Sequence, residues 1–269
     1  MNLKILTWNI AFGYGIGSEG TADYQPRARD AFEERLIQMS ALIKSEDPDL
    51  VFLQEVDFAA SRSGNLHELD FISRASGVLN RDHVVSWDSP YVPYPGLSLR
   101  RQFGKMVSGG GILSRFPIIN IQNDLLPKPR ENSRIYNYFY LHRYFEIAQI
   151  ELPGLQTPLR ICNLHLEAFS KDNRELHLIK LEDRLKDYSI DISGGDFNGV
   201  ITISPETLSQ GWEPLHPPSA TFPSNDPKDI LDGFIVRQSR IKVNSVRVIQ
   251  AGTLSDHLPV MMEVEVLPS

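Results

Sequence analysis

The chain has one cysteine, Cys162, in 269 residues. That excludes internal disulfides and any cysteine-based zinc cluster. No apolar run approaches the ~18 residues of a membrane-spanning helix. Residues 1–9 lack the apolar stretch of a secretory signal. The expectation is a soluble protein, cytoplasmic or otherwise, with no stable membrane insertion and no obligate protein partner evident. Basic charge is also short: 27 Lys and Arg against 34 Asp and Glu leave a net charge of −7. A protein that coats duplex DNA usually carries a broad basic face instead. A single local phosphate site is compatible with this balance. Heptads, low-complexity tracts and long linkers are missing too, so one domain over 1–269 is expected.

What is present reads as alternating strands and helices. Strands are expected at 3–10, 50–53, 111–113, 118–121, 144–152, 159–164, 190–193, 230–236, 243–249 and 258–266. Helical spacing of apolar residues marks 27–46, 66–75 and 171–188, with Gly77 and Ser170 as end signals. Residues 89–111, rich in Pro, Gly and Ser, read as an irregular loop. An α/β protein with mixed sheets and outer helices follows.

Polar residues stand where strands should stay apolar. Asn9 ends Ile5-Leu6-Thr7-Trp8, and Glu55 ends Leu50-Val51-Phe52-Leu53-Gln54. His165 ends Ile161-Cys162-Asn163-Leu164, and Asp196 and Asn198 follow Ile190 to Gly195. Asp232 sits inside an apolar run, and Asp256-His257 precedes Leu258-Pro259-Val260. A carboxylate removed from water costs several kcal/mol unless it is paired or binds a metal. Six such placements point to one shared polar site. Carboxylate and amide oxygens without cysteine suit a hard cation such as Mg²⁺. Two histidines beside carboxylates suit proton transfer near pH 7. Together these parts suit metal-assisted hydrolysis of a phosphate ester.

The segments Thr7-Trp8-Asn9, Leu53-Gln54-Glu55-Val56, Asn163-Leu164-His165-Leu166, Gly194-Gly195-Asp196-Phe197-Asn198, Leu231-Asp232 and Ser255-Asp256-His257-Leu258-Pro259 occur in this order. Gly111 to Ile118 completes the pattern. In this the sequence resembles the endonuclease/exonuclease/phosphatase superfamily, which includes pancreatic-type deoxyribonucleases, abasic-site nucleases and neutral sphingomyelinases. The resemblance implies a four-layer α/β/β/α sandwich of two mixed, mainly antiparallel sheets flanked by helices. It implies a Mg²⁺ ion, with Mn²⁺ as a substitute, held by Glu55 with Asn9 and Asp256. His165 would donate to a phosphoryl oxygen. Asp196 would align or activate water, and Asn198 would fix the nucleophile or a phosphate oxygen. His257 would contact the phosphate, oriented by Asp232. Thr221 matches a position near the substrate.

Charge is uneven. Between Arg100 and Arg143 there are eight basic residues against Asp124 and Glu131. Arg101 and Arg115 are candidate substrate contacts there, and residues 91–97 a candidate apolar lip. Residues 54–57 with 61–63 are similar to bacterial members and to relatives acting on phospholipid headgroups. The expected activity is divalent-metal-dependent hydrolysis of a phosphoester, foremost a phosphodiester, in a small molecule, lipid headgroup or nucleic acid. A nuclease or repair phosphodiesterase on nucleic acid ends is one alternative. A non-catalytic phospholigand-binding protein on the same sandwich is another.

Overall fold

The hydrophobic pattern builds twelve strands and five α-helices among the described residues, 1–95 and 102–268, of the computed structural model. The first half holds β1 (Asn2–Asn9), α1 (Arg29–Glu46), β2 (Leu50–Asp57), α2 (Glu68–Ser76), β3 (Asn80–Val92) and β4 (Gly104–Ser114). β5 (Ile118–Leu125), α3 (Arg134–Phe139), β6 (Tyr144–Ile150), β7 (Leu159–His165), α4 (Lys171–Asp187) and β8 (Ile192–Asp196) follow. The chain closes with α5 (Pro205–Ser209), β9 (Trp212–Leu215), β10 (Asp232–Arg237), β11 (Ile241–Val248) and β12 (Val260–Val266).

The strands form two six-stranded sheets, ordered β11-β12-β1-β2-β4-β3 and β5-β6-β7-β8-β10-β9. Both are mixed. β1 and β2 are parallel, as are β7 and β8, while the other pairs are antiparallel. A parallel pair needs a crossover, and α1 and α4 supply it. The continuous apolar runs of β1 and β2 reflect burial on both faces. Leu6, Trp8, Val51 and Leu53 pack under Phe32, Leu36, Met39 and Ile43 of α1. Leu3, Ile5, Leu50 and Phe52 face the second sheet, against Ala148, Ile161 and Phe234. Phe145, Ile147, Cys162 and Leu164 cover the opposite face with Leu181 and Leu185 of α4. Three apolar seams between four layers are the α/β/β/α sandwich.

The helices end where the sequence signals them. The Gly77 N–H caps α2 at Ser73 O with φ 86°, and the Ser170 hydroxyl accepts from Asn173 N at the start of α4. The expected loop at 89–111 is corrected: β3 runs to Val92 and β4 starts at Gly104. β3 is an edge strand, where Pro90 is tolerated. The glycines of β4 serve close packing rather than a turn. A Cβ on Gly110 would lie 1.8 Å from the Tyr144 hydroxyl, across the gap between sheets.

Candidate active site

The second sheet presents a row of polar ends. His165 and Asp196 are register partners on β7 and β8, and Asp196 and Asp232 on β8 and β10. Neighbouring strands lie about 4.8 Å apart, so the row is compact. The first sheet brings Asn9 at the end of β1, Glu55 on β2, and Asp256-His257 just before β12. The register of β2 against β4 shifts between Gln54 and Val56, and Glu55 takes φ 54°. This bulge breaks the two-residue alternation. Gln54 points between the sheets, donating to Thr7 Oγ1 (3.1 Å) and Asn163 Oδ1 (2.7 Å). Glu55, its neighbour, also reaches the cleft, with Oε1 3.9 Å from His165 Nε2.

Asp196 joins the two rows. Its Oδ2 accepts from Asn9 Nδ2 at 3.0 Å and lies 3.3 Å from His165 Nε2 and 3.8 Å from His257 Nε2. Its Oδ1 accepts the Asn198 N–H at 2.8 Å. Burial opposes ionisation, but His257, His165 and Asn9 outweigh it and hold Asp196 well below the usual carboxylate range. His257 Nδ1 bonds Asp232 Oδ2 at 2.9 Å, and the same oxygen accepts the Thr221 hydroxyl at 2.6 Å. Burial alone would lower His257, yet Asp232 and Asp196 raise it well above the ordinary histidine value. His165 is lowered by burial and then by Arg143. Arg143 Nη1 approaches both nitrogens of that ring, Nε2 at 2.5 Å and Nδ1 at 3.1 Å. The surroundings thus favour charge on His257 and Asp196 and disfavour it on His165.

Among the described residues one grouping of ligand atoms is compact enough to hold a cation. Ligand atoms of Asp196, Asp232 and His257 lie within 4.8 Å of one another. There Asp232 Oδ2 and His257 Nδ1 bond each other, while Asp232 Oδ1 has no hydrogen-bond partner. The Glu55 carboxylate instead accepts no hydrogen bond among the described residues. Burial raises its pKa, and the negative charge of Asp256 adds to this. Asp256 Oδ2 accepts the Ala22 N–H at 2.8 Å, and its pKa is also raised by burial. Both carboxylates have spare oxygen lone pairs, the donors a hard cation takes. Asn9 stands beside them, but its Oδ1 accepts from Ala11 N at 3.0 Å while its Nδ2 serves Asp196.

A family model described as the Endonuclease/Exonuclease/phosphatase family matches residues 6–257. The chain belongs to that family. Its hydrolases act on phosphoester bonds. Among curated proteins none matches the chain. An endonuclease/exonuclease/phosphatase structure from Beutenbergia cavernae is similar with TM-score 0.70 at 20% identity, covering 98% of this chain and 72% of that one. A mannosyl-6-phosphatase from Bacteroides thetaiotaomicron gives TM-score 0.66 at 16% identity, with 98% and 99% covered. The human nocturnin catalytic domain, solved with a bound sulfate anion, gives 0.62 at 17%, with 99% and 94% covered. At these identities the likeness is one of fold.

Within this endonuclease/exonuclease/phosphatase fold, eight expected residues converge: Asn9, Glu55, His165, Asp196, Asn198, Asp232, Asp256 and His257. Asn198 takes φ 53° and ties the loop after β8 to Leu166 O through Nδ2 at 2.9 Å. Thr221 is fully buried, and its hydroxyl donates to Asp232. Arg115 is corrected. It follows β4 and bonds Asp47 and Asp49 O, beside the start of β2. Glu55 lies five residues further along that strand, roughly 17 Å away at strand rise. Arg101 lies outside the described residues, as do 96 and 97 of the expected apolar lip. Within that lip Tyr94 is exposed and meets Tyr24 edge-on with centroids 6.1 Å apart. Sequence reasoning missed Arg143 and Tyr24. Arg143 carried the same signal as the others, a polar residue flanking an apolar strand. Tyr24 lies in a glycine-rich loop without one. Burial, then Glu55 and Asp256, raise its phenol well above the usual value.

Proposed function

We propose that the chain is a divalent-metal-dependent phosphodiesterase or phosphatase that cleaves its substrate by in-line attack of water. One observation carries this reading: the Asp196 carboxylate lies between two histidines in one cleft, 3.3 Å from His165 Nε2 and 3.8 Å from His257 Nε2. Glu55 and Asp256 would hold Mg²⁺ or Mn²⁺, which when bound offsets charge on the phosphoryl group. Asp196 orients the attacking water and takes its proton, as an ionised carboxylate can. The His257 imidazolium, fixed through Nδ1 by Asp232 and in turn by Thr221, donates from Nε2 to a phosphoryl oxygen. The Arg143 guanidinium behind His165 keeps that ring neutral and adds positive charge beside the transition state. Asn9 holds Asp196 from the opposite sheet, so the base stays aimed while charge shifts.

Turnover of bis-(p-nitrophenyl) phosphate with Mg²⁺ or Mn²⁺, with and without EDTA, tests the reading. Asp196→Asn and His257→Ala are each expected to lose about 10²–10⁴-fold in kcat, and Glu55→Gln to abolish the metal response. Turnover that survives chelation and all three substitutions would sink it.

A further inference from the structure

The four most exposed large hydrophobic side chains among the described residues are Phe169 (84%), Ile135 (77%), Val200 (67%) and Tyr138 (66%). They come from three different connections. α3 precedes β6, Phe169 follows β7 and Val200 follows β8. Tyr144, His165 and Asp196, at those strand ends, lie in register across the sheet, so all three connections leave from the catalytic end.

Specific contacts fasten them together. The Tyr140 hydroxyl, just past α3, donates to Glu167 Oε1 at 2.7 Å, and the Phe169 N–H donates to the same oxygen at 3.0 Å. Tyr136 stacks on Tyr140 with centroids 5.5 Å apart. Ser170 bonds Glu131. Arg174 binds Glu167 O and Ala168 O at 2.9 and 3.0 Å, and its Nε lies 3.4 Å from where a Cβ on Gly199 would stand. The exposed apolar tips thus stand on connections braced to one another, at the end of the sheet that carries His165. Arg130 and Arg134 are exposed beside them and enter no ion pair among the described residues.

The geometry points to a docking surface for an anionic lipid bilayer, seated so that the catalytic cleft opens toward the headgroups. Aliphatic tips, tyrosines and unpaired arginines at one end are the composition that partitions into a membrane interface. Single-stranded nucleic acid is the poorer occupant, because Ile135 and Val200 cannot stack on bases. The inference stands apart from the hydrolytic reading, since binding is measured without turnover.

The test is co-sedimentation of the full chain with phosphatidylcholine vesicles, with and without phosphatidylserine. Binding is expected, stronger with phosphatidylserine. Phe169→Ala and Ile135→Ala should each weaken it by about ten-fold. Arg134→Gln should weaken it by about five-fold, on the phosphatidylserine vesicles only. Ile37→Ala, which trims an exposed apolar side chain on α1, should leave binding unchanged. All four sites are exposed, so unchanged melting certifies the fold. Failure to bind either vesicle would overturn the proposal. So would binding indifferent to Phe169 and Ile135. Self-association or oligonucleotide binding lost on these substitutions, without vesicle binding, would instead assign these side chains to a second copy or to nucleic acid.

Discussion

Thr221 donates to Asp232 from a position solvent does not reach, and its Oγ1 also accepts the Leu231 N–H at 3.2 Å. Thr221→Val should therefore lower kcat about ten-fold with KM unchanged, and lose about 1.5–3 kcal/mol of stability through a bond to a charged group. A raised KM at unchanged kcat would return Thr221 to direct substrate contact. The residue type was legible in the sequence; its direction was not, because a hydroxyl beside an acid serves either the acid or a ligand. Glu146 gave no sequence signal. It is buried on β6, accepts from Asn163 Nδ2 at 2.8 Å, and leaves Oε1 without a partner. Burial pushes its carboxyl well above the ordinary value, with Asp82 adding to this. The folded state therefore holds a proton that the unfolded state releases. Stability is unaffected below the ordinary carboxylate range and falls as pH rises above it, by up to about 1.4 kcal/mol per pH unit, until the folded pKa is reached. Glu146→Gln should melt higher than the parent at neutral pH and above, and equally near pH ~4. A melting difference independent of pH would show that Glu146 is ionised in the fold.

At the scale of elements, the buried strands and long helices were legible because burial on both faces writes continuous apolar runs and α1 and α4 write helical spacing. β3 and β4 were not. An edge strand alternates with polar residues, and a strand that lets a tyrosine approach its backbone must give up side chains. Gly109-Gly110-Gly111 has the composition of a turn and the role of a contact. Gly110→Ala puts a methyl 1.8 Å from the Tyr144 hydroxyl and 2.9 Å from Leu53 O. Overpacking of this kind costs about 1–3 kcal/mol. Tyr144→Phe alone should be close to neutral, since that hydroxyl has no hydrogen-bond partner. The double substitution should recover part of the loss, measured by chemical denaturation. Strict additivity of the two would mean that the sheets separate instead of Tyr144 yielding. The bulge at Glu55 was equally hidden: Gln-Glu reads as one residue in and one out, whereas a positive φ lets Glu55 reach the cleft while Gln54 points between the sheets.

At the scale of the molecule, the residues of the ordered motifs meet at one end of the two sheets, whereas the described basic residues between Lys105 and Arg143 divide between two ends. The chain between Gly104 and Arg143 crosses the sandwich along β4 and returns along β5. It leaves Arg115 at one end and Arg134 and Arg143 at the other. A charge count along the sequence has no knowledge of that reversal. The acids, in contrast, do meet. Glu55 and Asp256 come from opposite ends of the chain, and with Asp196 and Asp232 they crowd one end of both sheets, so the site is held together against its own charge. A cation bound at Glu55 and Asp256 would relieve that repulsion only in the folded state, and should raise the melting temperature. At a concentration about 100-fold above Kd the gain is about 2.7 kcal/mol, or roughly 5–10 °C for a chain this long. Glu55→Gln should abolish the rise with Mg²⁺ or Mn²⁺. It should also leave the metal-free protein at least as stable as the parent, because one buried charge is gone. A metal-induced rise that persists in Glu55→Gln but vanishes in Asp232→Asn would move the cation to the grouping of Asp196, Asp232 and His257.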